Sequence, residues 1–370
     1  MIRVRALRPA LRPALRLALR LALVLLLSLL GGCSMMGARL DVSEVDAALA
    51  RAQSDLDQGR TEDVVSLMRR ASLAKDLSPE QRAAVERLLE VAVRKRIGEL
   101  SGENPDAGEL ADLVELDLPR QVAVEAGLAA ARAWQKEGEE GSAFEVLQLL
   151  DKKYPLHYER VAAGDLIVEL GLTMSEKHES FLIFYDTDEE AQKMLEYAIL
   201  EHPWARNCDQ AYLCLARLYE QDREYKLAID RLEKLVLNHP ESQERPSAQA
   251  RIPRLRLRLL ASPEYDRAML LTASEELRRW LVAYPEHPER EAVERDLGDC
   301  LRRLVDNDLV IARFYERVGN VYGARRHATR AVLEARDAGD PARAQEAQRF
   351  LDSLPDDDAQ AKRPREDLKL

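Results

Sequence analysis

Aromatic residues make up only 5% of this 370-residue chain, and glycine and proline stand at 16 each. No long alternating run of β-branched residues is present, which excludes a sheet protein built from half-buried strands. What fills the chain instead is Ala, Leu, Glu and Arg, the strong helix formers, and the expectation is all-α. Apolar residues are 46%, enough for a packed core. Excess positive charge is also lacking. The net charge of −11 becomes −17 once the six arginines of the first 32 residues are set aside. Phosphate binding needs the opposite sign, so nucleic acid is not expected as a partner.

Catalytic signatures are missing as well. The six histidines (157, 178, 202, 239, 287 and 327) form no HExxH and no paired metal spacing, and there is no G-x-S-x-G, P-loop or CxxC. We expect no enzyme, no cofactor and no metal. The acidic run Asp186, Asp188, Glu189 and Glu190 lacks the spacing and glycine of a calcium loop and reads as a helix N-cap with an acidic first turn. Cys208, Cys214 and Cys300 read as buried small apolar residues; Cys208 and Cys214 stand six apart, so they cannot pair within one helix.

The start of the chain is different. Arg3, Arg5, Arg8, Arg12, Arg16 and Arg20 precede a short apolar run, Leu21 to Leu30. Ten residues are too few to span a bilayer comfortably, so the stretch reads as an export signal. Leu30-Gly31-Gly32-Cys33 then resembles the bacterial lipobox. The resemblance implies cleavage before Cys33, acylation of its thiol and amino end, and anchoring to the lipid bilayer through those acyl chains. Ser34 follows, where lipoproteins of this kind use Asp for inner-membrane retention, so the implied address is the periplasmic face of the outer membrane.

One frame recurs four times: Ala, Leu four residues on, Pro twelve residues on. It is Ala143, Leu147 and Pro155; Ala191, Leu195 and Pro203; Ala228, Leu232 and Pro240; Ala273, Leu277 and Pro285. Ala and Leu share one helical face, the small Ala admits a neighbouring helix, and Pro ends the helix. Upstream of Ala228, Tyr212, Leu215, Ala216 and Tyr219 complete the tetratricopeptide pattern of two antiparallel helices. Trp134 and Ala143, like Tyr219 and Ala228, are nine apart, and so are Tyr315 and Ala324 in a fifth unit, 312–335, that has lost its Pro. The frames step by 48, 37 and 45 residues, the extra length lying in loops such as 176–188.

"LLDKKYP", "LEYAILEHP", "LRRWLVAYPEHP" and above all "DNDLVIARFYERVGNVYGA" (306–324) resemble the outer-membrane β-barrel assembly lipoprotein (BamD/YfiO) family, over roughly residues 120–353. That resemblance implies a helical scaffold docking on envelope proteins, foremost a barrel-inserting protein of the outer membrane. It departs from the family in residues 40–118, which precede the repeats. This extension also suits an adaptor lipoprotein for peptidoglycan remodelling or polysaccharide export.

The expected organisation is signal 1–32, lipidated tether 33–40, helical extension 41–100, linker 101–118, tetratricopeptide-like repeats 119–353 as about five helix pairs, and a disordered tail 354–370. Ser78, Pro79 and Gln81 mark a capped helix start. Partner contacts in tetratricopeptide grooves fall on the first helix of a pair. They map to Leu128, Arg132, Gln135 and Lys136 in the first repeat and to Leu213, Arg217, Glu220 and Gln221 in the third. Arg251, Arg254 and Arg258 share one helical face, either a contact for an acidic partner or a face balanced by surrounding acids.

Overall fold

A computed structural model describes residues 39–116, 118–155, 159–177, 186–260 and 267–355. Leu30, Gly31, Gly32, Cys33 and the tail from 356 lie outside these, as do His157, His178 and most of the 176–188 loop. Among the described residues the fold is all-α, with fifteen helices and no strand. They are α1 (Val42–Asp57), α2 (Thr61–Ser72), α3 (Pro79–Leu100), α4 (Ala107–Glu115), α5 (Arg120–Glu137), α6 (Glu140–Lys153), α7 (Arg160–Lys177) and α8 (Thr187–Glu201). There follow α9 (Cys208–Gln221), α10 (Tyr225–Asn238), α11 (Arg245–Leu259), α12 (Arg267–Ala283), α13 (Arg290–Arg317), α14 (Val321–Asp337) and α15 (Pro341–Ser353). No described helix is long and apolar enough to cross a membrane.

The described residues form two compact units. The first takes α1–α4, α5 as far as Ala133, and Leu149–Pro155; the second takes Trp134–Gln148 and every described residue after Pro155. In the first unit α3 begins with the expected box: Ser78 accepts from the Gln81 backbone N–H while the Gln81 side chain accepts from that of Ser78. The segment expected as a linker carries a helix of its own. Asp106 caps α4, and Leu110 and Val114 are fully buried, because its apolar residues recur at helical spacing.

In the second unit, from α7 onward, each helix packs on the next in sequence, and α9 also touches α7, the pattern of stacked antiparallel pairs. These pairs are tetratricopeptide-like. The recurring frame is its core: Ala143, Leu147, Ala191, Leu195, Ala228, Leu232, Ala273 and Leu277 are all fully buried. Helices α6, α8, α10 and α12 stop two residues before Pro155, Pro203, Pro240 and Pro285. The reason is local: the residue before proline is pushed out of the helical region, and His202 and His239 sit near φ −126° and −124° with positive ψ. That residue then ties its pair together. The His202 ring nitrogen Nδ1 lies 3.1 Å from the Arg160 carbonyl, His239 packs its ring on Tyr212, and the Tyr284 hydroxyl bonds Gln249 Oε1 at 2.9 Å. In the first unit the Tyr154 hydroxyl donates to the Leu118 carbonyl at 3.3 Å.

The nine-residue aromatic-to-Ala spacing is a ruler set by the turn between paired helices. Gly138, Arg223 and Gly319 all take positive φ, and the next backbone N–H reaches back to the carbonyl of Trp134, Tyr219 or Tyr315 at 3.0, 2.8 and 2.9 Å. Gly59 makes the same turn between α1 and α2, where the Arg60 N–H donates to the Asp55 carbonyl at 2.9 Å. Nine residues after Asp55 comes Val64, and four further on Met68, both fully buried. The extension therefore contains one more hairpin of the repeat type, with Asp in the aromatic place and Val in the alanine place. Arg223 is the exception among these turns, a non-glycine at φ 62°. Left-handed backbone costs an L-residue about 1–2 kcal/mol, partly offset by the stiffer unfolded chain. Arg223→Gly should raise stability by about 0.5–1 kcal/mol in urea unfolding; an unchanged or lower midpoint would contradict this.

Candidate partner-binding surface

The residues mapped to a groove do not form one free surface. Leu128 is buried inside the first unit and unavailable to a partner, because its side of α5 faces inward. Arg132 and Lys136 are exposed and Gln135 is half-buried. On α9, Leu213 is half-buried, and the Arg217 guanidinium donates to Ser175 Oγ on α7 at 2.9 Å. Glu220 pairs with Arg251 of α11, and Arg258 lies 4.0 Å from its other oxygen while its guanidinium stands over the Tyr225 ring. Arg254 pairs with Asp296 of α13 at 2.6 Å. The arginine face of α11 is thus matched by acids of the helices flanking it. Its charges join one repeat to the next. Pro253 sits in the interior of α11.

Acids on the second helices of the pairs anchor another ladder. Arg231 of α10 bonds both oxygens of Glu196 on α8, at 2.8 and 2.9 Å, and the Tyr219 hydroxyl donates to the same carboxylate at 2.7 Å. Burial, together with that carboxylate, pushes the Tyr219 phenol up to about 12. Arg256 of α11 bonds Glu276 of α12 through both oxygens at 2.5 Å and Glu233 of α10 at 2.6 Å. Asp186 caps α8 by accepting from the Asp188 N–H at 2.9 Å, the role expected of that acidic run. Among the described residues no group of His, Cys, Asp and Glu could hold a metal ion.

One charged cluster was not foreseen. Asp308 of α13 is completely buried; its Oδ2 accepts from Arg267 of α12 at 3.1 Å, and its Oδ1 lies 2.6 Å from His327 Nδ1 and 3.9 Å from Arg330, both on α14. Glu334 of α14 also pairs with Arg267. Burial first, then the nearby Asp308 charge, push the Glu334 carboxyl up to about 7. Tyr315 stacks on His327, and its ring lies where a Cβ on Gly323 would fall, 2.7 Å away. Gly323 is eight positions on; Ala324, the alanine of the nine-residue spacing, lies in the buried cluster that Tyr315 also packs against. In the sequence, "DND" at 306–308 between the apolar flanks Leu304-Val305 and Leu309-Val310-Ile311 was the available signal. Cys208, Cys214 and Cys300 are free and buried, and burial lifts the Cys208 and Cys300 thiols to about 11, which leaves them unreactive at neutral pH.

No protein-family model matches the chain, and no curated protein does. Solved structures do. The Pseudomonas aeruginosa pilF protein is 16% identical and covers 69% of this chain and 98% of its own, with a TM-score of 0.29. A tetratricopeptide repeat protein from Parabacteroides merdae is 12% identical over 84% of this chain and 98% of its own, with a TM-score of 0.30. The C-terminal part of a repeat protein from Cytophaga hutchinsonii is 11% identical over 82% and 99%, also with a TM-score of 0.30. The fold assignment stands on the helices and contacts described above.

Proposed function

We propose that the chain is a non-enzymatic, lipid-anchored scaffold of outer-membrane protein assembly. Cys33 carries the acyl chains, the repeats face the periplasm, and their surfaces bind envelope proteins, first among them a barrel-inserting protein. What supports this reading is the four-fold frame of buried Ala and Leu, together with a chain start that resembles an export signal and a lipobox. Stacked helix pairs present extended surfaces with little chemistry of their own, which suits a scaffold. An adaptor in peptidoglycan remodelling or polysaccharide export is the second reading. It is favoured by the folded segment ahead of the repeats, where Val45, Val64, Met68, Leu89 and Val93 are buried.

The test is purification of the tagged full-length lipoprotein from its own envelope in mild detergent, with mass spectrometry of what accompanies it. Enrichment of a barrel-inserting protein with periplasmic repeat domains supports the first reading. Cell-wall or export enzymes in its place, with barrel-protein levels normal on depletion, support the second.

A further inference from the structure

We propose that a proton shared between Asp308 of α13 and Glu334 of α14 clasps the first turn of α12 onto these two helices, and that loss of the proton releases that turn. The device is built into the fold and does not depend on which envelope protein the repeats hold.

The geometry starts from one guanidinium. Arg267, the first residue of α12, reaches Asp308 Oδ2 at 3.1 Å and also pairs with Glu334. The two acids are otherwise unequally served. Asp308 has no exposure to water, but it also has His327 Nδ1 at 2.6 Å and Arg330 at 3.9 Å, both on α14. Glu334 has Arg267 on one oxygen, while its Oε2 is buried and meets no donor. The charged groups facing Glu334 are Arg267 of α12, Asp308 of α13 and Arg330 of its own helix; Arg343 of α15 is taken by Asp306. A carboxylate with a buried oxygen that no donor reaches is poorly placed to hold a charge. The two carboxyls lie within reach of a hydrogen bond to each other, and such a bond needs a proton on one of them. Glu334 is the one that holds it, because Asp308 has the donors. Burial, then the Asp308 charge, raise the Glu334 carboxyl to about 7, so the proton stays on through mildly acid conditions.

Ionising Glu334 leaves two carboxylates side by side on one guanidinium. Relief requires that the cluster reach water, and the helices differ in how readily they give way. α13 and α14 are joined through Ala312, Ala324 and Ala328, all fully buried and packed with Leu354. The cluster meets α12 only at its first residue, and a terminal turn is the part of a helix that opens most readily. That turn carries its own reporter. The Cys300 thiol of α13 donates to the Leu270 carbonyl at 3.0 Å, and both residues are completely buried. Opening the turn uncovers the thiol.

The experiment labels the full chain with iodoacetamide for a fixed short time at pH 6 and at pH 8.5, and counts label at Cys300 and Cys208 by peptide mass spectrometry. Burial lifts both thiols to about 11, so their ratio cancels the growth of thiolate with pH. The ratio also cancels global unfolding, which exposes both, because Cys208 sits on α9, outside the clasp. The Cys300-to-Cys208 ratio should rise about threefold or more between the two conditions. Glu334→Gln cannot ionise and keeps an N–H donor for Asp308, so its ratio should stay flat. His327→Asn keeps a donor in the place of Nδ1 and should retain the rise. A flat ratio in the wild type overturns the proposal. So does a rise that survives Glu334→Gln, and so does one abolished by His327→Asn alone, which makes the imidazole the titrating group. Should a variant fail to fold, infrared difference spectra of the wild type decide. Loss of a protonated-carboxyl band between pH 6 and pH 8.5 agrees with the shared proton, and no such band contradicts it.

Discussion

Replacing Asp308 by Ala should destabilise the second unit by about 3–5 kcal/mol, the cost of breaking a buried ion pair from one side. The carboxylate has no exposure to water and faces Arg267, His327 and Arg330 at once. Its removal leaves a partly buried guanidinium whose remaining acid is Glu334. The same variant has a pH signature that a plain cavity would not produce. The Glu334 carboxyl is raised in the folded protein from 4.5 to about 7, so protonation favours the fold. That contribution is present in full below pH 4.5 and is lost as pH rises through about 7. Asp308 supplies the second of the two main causes of the shift, after burial, so Asp308→Ala should flatten the decline without abolishing it. Urea unfolding at pH 5 and pH 8 reads both effects. A loss under 1 kcal/mol, or an unchanged pH slope, would show that the cluster is not coupled as described.

The repeat frame was legible because it rests on two steric rules that leave marks in sequence. A small residue is needed where helices approach, and a proline ends a helix two residues early; hence Ala228 and Pro240, and their counterparts, could be read directly. The hairpin at residues 42–72 obeys the same turn ruler; the sequence reads there as a helix pair, either a divergent repeat or a separate arm, and the choice stays open because Asp55 and Val64 replace the aromatic and the alanine that make the frame visible. Gly59, five residues ahead of Val64, was the surviving mark. The groove was less legible. Helical position places Arg217 and Glu220 on an outer face, but whether such a residue is free depends on what the next pair offers. Ser175 and Arg251 lie 42 and 31 residues away in the chain, a separation no periodicity within one helix reports.

Glycine inside a helix ordinarily weakens it, so alanine there should help by about 0.5–1 kcal/mol. Gly98 of α3 should behave that way: a Cβ there meets nothing within 4 Å. Gly171 of α7 should do the reverse. A Cβ on it would fall 2.7 Å from Leu195 Cγ and Cδ2 and 3.3 Å from Met194 Cβ on α8, and Leu195 is fully buried. Overpacking of this kind costs about 1–3 kcal/mol, which exceeds the helix-propensity gain. Leu195→Ala alone should cost about 2–5 kcal/mol, through lost burial and the cavity it leaves. In the double variant the methyl at 171 no longer meets Leu195 and fills part of that cavity. The pair should therefore cost less than the two singles together by at least about 1 kcal/mol, a coupling that residues not in contact do not show. The four proteins of the cycle, with Gly98→Ala beside them, would be compared by urea unfolding. Additive losses would mean that α7 and α8 can move apart at no cost, and that the glycine is not what sets their approach.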